Sequence, residues 1–120
     1  MKTIPAPKLV SLVAAIMQGG GSASSEAGTV ARRLVDSNLV GHDSHGVIRV
    51  GKYLEWVRAG WLAPNGRPTV VFDNDVIAIV DGNRGFGQVV GEFAGKLGTA
   101  KAAKMGIAMV GLRNCGHLGR

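Results

Sequence analysis

Residues 69–91 read TVVFDNDVIAIVDGNRGFGQVVG, and within them the periodicity of the chain changes. "TVVF" and "VIAIV" are β-branched runs separated by "DND". That is the pattern of a hairpin or of two neighbouring strands, because branched side chains fit a pleated surface and Asp and Asn supply turns. "DGNRGFG" ends the extended pattern, and Phe86, Val89, Val90, Phe93, Ala94 and Leu97 then recur at helical spacing, in a helix expected to run to about Met105. Gly87, Gly91 and Gly95 lie on that helix. Each costs it about 1 kcal/mol relative to alanine, so their four-residue spacing points to a neighbour whose backbone comes close. "GIAMVGL" follows as a further strand and runs into the loop "RNCGHLGR".

Upstream, the signals are helical. Lys8–Gln18 forms an expected helix ended by Gly19, Gly20 and Gly21. Ser24 or Ser25 caps a second, with Glu26 in its first turn and Ala27, Val30, Ala31, Leu34 and Val35 at helical spacing, ending near Asn38. A third is expected from His45, with Val47, Val50, Leu54 and Val57 on one face, stopping at Gly60 before the turn-rich "APNGRP". The order ααα-ββ-α-β predicts an α/β or α+β fold without internal repeats. We expect a single partial domain, with a helical N-terminal segment over 1–62 and a strand-helix-strand segment over 63–120. A sheet that has just gained a strand rarely stops there, so the chain is expected to be a fragment, or a very short member of a longer family.

Composition excludes several classes. The chain has 120 residues, 46% of them hydrophobic, with nineteen glycines and four prolines, which is globular rather than disordered or collagen-like. A lone cysteine, Cys115, cannot close an internal disulfide, and the cytoplasm is the expected compartment. The apolar run Leu9–Met17 is too short to span a membrane, and as a secretory signal it is discounted because Pro5, Pro7 and Lys8 stand where the apolar segment should begin and no small-x-small cleavage site follows it cleanly. The net charge is +6, yet no more than two basic residues adjoin, which argues against nucleic acid as a partner. The excess is uneven: residues 1–81 carry eight basic and seven acidic side chains, and 82–120 carry six basic and only Glu92. The last third is suited to an anion, or to an acidic partner outside this chain.

The densest chemistry lies in "GHDSHGVIR", residues 41–49. Asp43 or Ser44 is placed to cap the third helix, with His45 in its first turn and Arg49 four residues on, so that imidazole and guanidinium share a face. A helix N-terminus there favours an anion and disfavours protonated histidine. Arg49 can hold a carboxylate bidentately, His45 can move a hydroxyl proton near neutral pH, and Ser44 can orient the ring. Each residue alone has a structural explanation as a cap or a solvated side chain. Together they point to function.

Other motifs carry less. Gly85-x-Gly87-x-x-x-Gly91 opens a helix after a strand, but its spacing departs from the dinucleotide fingerprint and no acidic residue follows where a ribose needs one, so a tight turn and a close-packed helix are expected. In "NCGHLGR", two glycines, His117 and Arg120 suit a phosphate or a nicotinamide at a strand end. Cys115 is expected to be inert. Outside the His42–His45 pair, no histidine or cysteine stands at metal-ligand spacing.

Three stretches, DSNLVGHDSHGVIRVGKYLEWVRAG (36–60), VDGNRGFGQVVG (80–91) and GIAMVGLRNCGHLGR (106–120), together resemble the N-terminal part of the malate/L-lactate dehydrogenase family. Its members are NAD(P)-dependent 2-hydroxy-acid oxidoreductases, distinct from the Rossmann-fold malate and lactate dehydrogenases, and include sulfolactate, ureidoglycolate and diketogulonate enzymes and a cyclic-imine reductase. The resemblance implies a non-Rossmann fold, a homodimer, NAD or NADP as cofactor, and a small 2-hydroxy or 2-oxo acid such as malate or lactate as substrate. By it Ser44 and His45 match a relay and proton donor, and Arg49 matches the arginine on the substrate carboxylate. His117, Leu118, Gly119 and Arg120 match the start of a cofactor-binding loop. Some relatives assign the proton donor to the histidine matching His117 instead, and the two remain alternatives. Leu118 departs from the aromatic residue usual there, and Cys115 from a small residue such as serine. A rival expectation is a non-catalytic remnant, or a dimerisation or interaction segment.

Overall fold

In the computed structural model, which describes residues 3–119, the elements run α1 (Ala6–Gly19), α2 (Ser24–Leu39), α3 (Arg49–Arg58), β1 (Thr69–Asp73), β2 (Ile77–Asp81), α4 (Gly87–Met105) and β3 (Met109–Arg113). This is a mixed α and β architecture. Residues up to Asn65, together with Gly119, form one compact unit, and Gly66–Leu118 form another.

In the first unit Pro7 sits in the opening turn of α1, where a missing N–H costs nothing, and Gly20 and Gly21 (φ +105°) end the helix. Val13 and Met17 of α1, Ala27, Val30, Ala31, Leu34 and Val35 of α2, Tyr53 of α3 and Leu62 are its buried apolar residues. The expected serine cap of α2 does not form. Ala23 precedes the helix, and its N–H donates to Asn65 Oδ1 at 2.7 Å. Glu26, buried in the first turn, accepts from Ser22 Oγ at 2.7 Å and from the Asn65 N–H at 3.0 Å. A buried carboxylate is costly unless bonded, and holding the Asn65 turn satisfies it better than a local cap.

The third helix also departs from expectation. It starts at Arg49, and residues Asp43–His45 form one 3-10 turn instead. Gly46 then adopts φ −91°, ψ −153°, an extended conformation that breaks any helix through it. The cause is Asn38 at the end of α2. A Cβ on Gly46 would lie 2.2 Å from Asn38 Oδ1, so the turn closes on that amide only because position 46 has no side chain.

In the second unit β1 and β2 form an antiparallel hairpin, with a bulge between Val70 and Phe72, and β3 pairs parallel to β2 after the α4 crossover. The hairpin turn is set by Asn74, whose Oδ1 accepts the N–H groups of Val76 (3.1 Å) and Ile77 (2.7 Å). Lys101 of α4 ties the turn down through the Asp73 carboxylate and the Asn74 carbonyl. Ala78, Val80, Phe86, Val90 and Ala94 are its buried apolar residues.

Candidate functional site

In the first unit the residues singled out from the sequence do converge, by a route other than a shared helix face. The His45 N–H donates to the His42 carbonyl and the Gly46 N–H to that of Asp43, each at 3.0 Å, which curls the turn. Ser44 Oγ then lies 2.9 Å from His45 Nδ1. Arg49, the first residue of α3, reaches back and donates from Nε to the Ser44 carbonyl at 2.7 Å. Ser44 is thus bonded to the imidazole through its side chain and to the guanidinium through its backbone. The terminal nitrogens of Arg49 keep the fork that suits a carboxylate.

His45 is half-buried, and its ring stands 4.1 Å, centre to centre, from that of exposed His42. Burial first, and then the charges of His42 and Arg49, hold its pKa below the ordinary 6.5. The cause differs from the helix N-terminus expected from the sequence, because α3 begins four residues later.

In the second unit the loop after β3 passes over the glycines of "DGNRGFG". The Gly82 N–H donates to the Arg113 carbonyl (2.9 Å), the Arg84 N–H to that of Asn114 (2.7 Å) and the Gly116 N–H to that of Gly85 (2.9 Å). A Cβ at Gly82 would lie 2.6 Å from Cys115 Cβ, and one at Gly87 would lie 2.2 Å from the His117 carbonyl oxygen. The glycines therefore receive backbone. Of the three spaced along α4, Gly87 meets the His117 backbone, Gly91 the Leu118 side chain, and Gly95 nothing within 4 Å.

Asp81, at the end of β2, locks the same crossing. Its Oδ1 accepts the Asn83 N–H (2.9 Å), and its Oδ2 accepts Arg113 Nε (2.8 Å) and Asn114 Nδ2 (2.9 Å). The Asn83 bond first, then those of Asn114 and Arg113, hold its carboxyl below the ordinary 3.8. Asn83, Arg84 and Asn114 all have positive φ, at 47°, 60° and 50°. Such strained turns persist where surrounding bonds fix them. His117 is half-buried and Leu118 exposed on this loop; burial pushes the Cys115 thiol up, away from nucleophilic thiolate. Gly119 (φ +82°) ends the described chain, and Arg120 lies outside the described residues.

Asn38, Asp81 and Asn114 escaped the sequence reading. Asn38 stood at an expected helix end, where an amide looks like a terminator, and Asp81 at a strand end, where an acid looks solvated. Among the described residues no three His, Cys, Asp or Glu side chains gather as metal ligands, and no helix is long and apolar enough to cross a membrane. A cavity of about 300 Å³ in the first unit, lined by Ile16, Gly19, Gly20, Leu54, Val57 and Arg58, contains none of the candidate residues.

Comparison with known proteins gives a consistent picture. Residues 4–120 match the model of the malate/L-lactate dehydrogenase family. The chain is 37% identical over 116 residues to a malate dehydrogenase of Pyrococcus abyssi, covering 97% of this chain and 32% of that protein. It is 39% identical over 115 residues to hydroxycarboxylate dehydrogenase B of Escherichia coli, covering 96% and 32%. The solved malate dehydrogenase of Pyrococcus horikoshii superposes with a TM-score of 0.93 at 33% identity, over 98% of this chain and 34% of that one. The chain thus spans about a third of the length of the curated relatives it matches.

Proposed function

Because the chain belongs to the malate/L-lactate dehydrogenase family, we propose that it contributes the proton-carrying and carboxylate-holding part of an oxidoreductase acting on small 2-hydroxy or 2-oxo acids. The observation that carries this is the double use of Ser44: Oγ on His45 Nδ1 at 2.9 Å, and carbonyl under Arg49 Nε at 2.7 Å. A proton carrier and an anion anchor are bonded to one residue, so their separation is fixed before substrate arrives. That is the pre-organisation such a reaction needs.

In this proposal the Arg49 terminal nitrogens hold the substrate carboxylate. With Nδ1–H donating to Ser44 Oγ, His45 presents Nε2 as the base that takes the C2 hydroxyl proton, and it returns that proton in the reverse direction. The lowered pKa of His45 keeps the ring neutral at the start of oxidation. NAD or NADP supplies hydride acceptance when bound. The loop around His117 fits a nicotinamide as one wall, since a half-buried imidazole and the exposed Leu118 place a hydrogen-bonding and an apolar surface side by side. The start of α4 does not offer the phosphate cradle of a Rossmann site, because the His117 carbonyl fills the space beside Gly87. By the family likeness Leu118, Gly119 and Arg120 are proposed to take part in cofactor binding as well; Arg120 lies outside the described residues. His117 is kept as the alternative proton donor. A homodimer and a cytoplasmic setting complete the proposal.

The test is kinetic. In the full-length protein, His45→Ala should lower kcat by roughly 10²–10⁴-fold, the range of general acid-base catalysis. Arg49→Ala should chiefly raise KM for the acid. Near-full activity in both variants sinks the assignment, and loss of kcat in His117→Ala with His45→Ala unaffected transfers the proton to His117.

A second reading, an association segment, is favoured by the open sheet face on which Phe72, Ile79 and Met109 are 47%, 38% and 62% exposed. A concentration-dependent oligomer that ignores NADH supports it over the first.

A further inference from the structure

We propose that Asn38, in the last turn of α2, is a positioning residue for this site: its amide joins both ends of the turn bearing Ser44 and His45, and so sets where the imidazole stands relative to Arg49. This deepens the proposed function and rests on His45 as the proton carrier. Asn38 Nδ2 donates to Asp43 Oδ1 at 2.6 Å, while Asn38 Oδ1 accepts the Val47 N–H at 2.9 Å. Asp43 and Val47 bracket Ser44, His45 and Gly46, so one planar group holds the segment at entry and exit.

Other bonds hold the turn alongside Asn38. The short-range bonds of His45 and Gly46 set its curl, and the His42 N–H on the Ser37 carbonyl, at 2.8 Å, secures the approach from α2. At the exit the Arg49 N–H donates to the Gly46 carbonyl at 3.0 Å and its Nε to that of Ser44 at 2.7 Å, which ties the turn to α3, and the amide oxygen ties it back to α2. Its fit is tight, since any Cβ at Gly46 would collide with Oδ1, Cγ and Nδ2 at 2.2, 2.5 and 2.6 Å. Donor and acceptor are both required on a short side chain, which asparagine provides. Aspartate lacks the donor, and glutamine is longer by a methylene.

The discriminating experiment exchanges the two groups in the full-length protein. Asn38→Asp sets two carboxylates against each other and should lower kcat by about 10- to 100-fold, the effect of a displacement on the order of 1 Å at a reacting group. KM for the nicotinamide cofactor should stay unchanged. Adding Asp43→Asn restores a donor opposite an acceptor at the original net charge and should recover most of kcat. The ¹⁵N shifts of the His45 ring give a readout free of turnover. One tautomer should dominate above the ring's titration, averaged shifts should appear in Asn38→Asp, and the exchange should restore the first pattern. Wild-type kcat and ring shifts in folded Asn38→Asp overturn the proposal, as does an exchange variant that folds with neither recovered. If the ring shifts respond as expected while His45→Ala keeps its turnover, the positioning stands and the proton-carrier reading fails.

Discussion

Alanine at Gly87 and alanine at Gly95 are the same substitution on the same helix, and the structure gives them opposite signs. At Gly95 a Cβ meets nothing within 4 Å on an exposed face of α4, so Gly95→Ala should gain about 1 kcal/mol of helix stability. At Gly87 the Cβ falls 2.2 Å from the His117 carbonyl oxygen and 2.5 Å from that of Gly116. Both are backbone atoms, which no rotamer change can clear. Reaching the 3.4 Å of ordinary contact from 2.2 Å moves the loop by about 1.2 Å, and overpacking of this kind costs about 1–3 kcal/mol. Amide hydrogen exchange at Ala78 and Val80, in the buried strand β2, reads the difference. With about 1.4 kcal/mol per tenfold, Gly87→Ala should speed exchange by roughly 5- to 150-fold and Gly95→Ala should slow it about fivefold. If the loop also walls the nicotinamide, Gly87→Ala should weaken cofactor binding by up to about 100-fold while KM for the acid holds. Exchange in Gly87→Ala as slow as in wild type refutes the reasoning.

Two further outcomes concern pH. A base whose pKa is held below 6.5 stays neutral to lower pH, so the acid limb of kcat/KM for hydroxy-acid oxidation should fall below that value; His42→Gln removes one cause and should move the limb up, and an unmoved limb removes His42 from the account. Asp81 has the depressed pKa of a carboxylate bonded in the folded state, so its contribution to stability is complete above 3.8 and is lost as pH falls from there through the folded value. Acid unfolding should therefore be shallower in Asp81→Asn, and a curve as steep as wild type contradicts the role given to that carboxylate.

Much of the fold was legible because local propensity and packing agree. The β-branched runs became β1 and β2, the period-3.6 stripe became α4, and the triple glycine ended α1. Disagreement arose where a side chain distant in sequence supplied a bond that local rules assign to a neighbour. Ser24 was a reasonable cap for α2 until Asn65 took the Ala23 N–H, and a helix from His45 was reasonable until the Asn38 amide took that of Val47. Both errors share a cause: an asparagine can replace backbone partners across a turn, and nothing in the linear order reports which turn it will choose.

The same cause explains why the candidate site was found although its local structure was misjudged. His45 and Arg49 were paired by helical spacing, and they are in fact joined by a backbone carbonyl, that of Ser44, accepting the guanidinium. Helical spacing fixes a direction only while the helix persists, whereas this bond fixes a distance directly and needs the turn held rigid at both ends. That requirement is what makes the Asn38 amide consequential. A site built on a helix N-terminus would lose little if Asn38 changed, and a site built on a stapled turn loses its geometry. The Asn38 and Asp43 exchange therefore separates the two architectures as well as testing one residue.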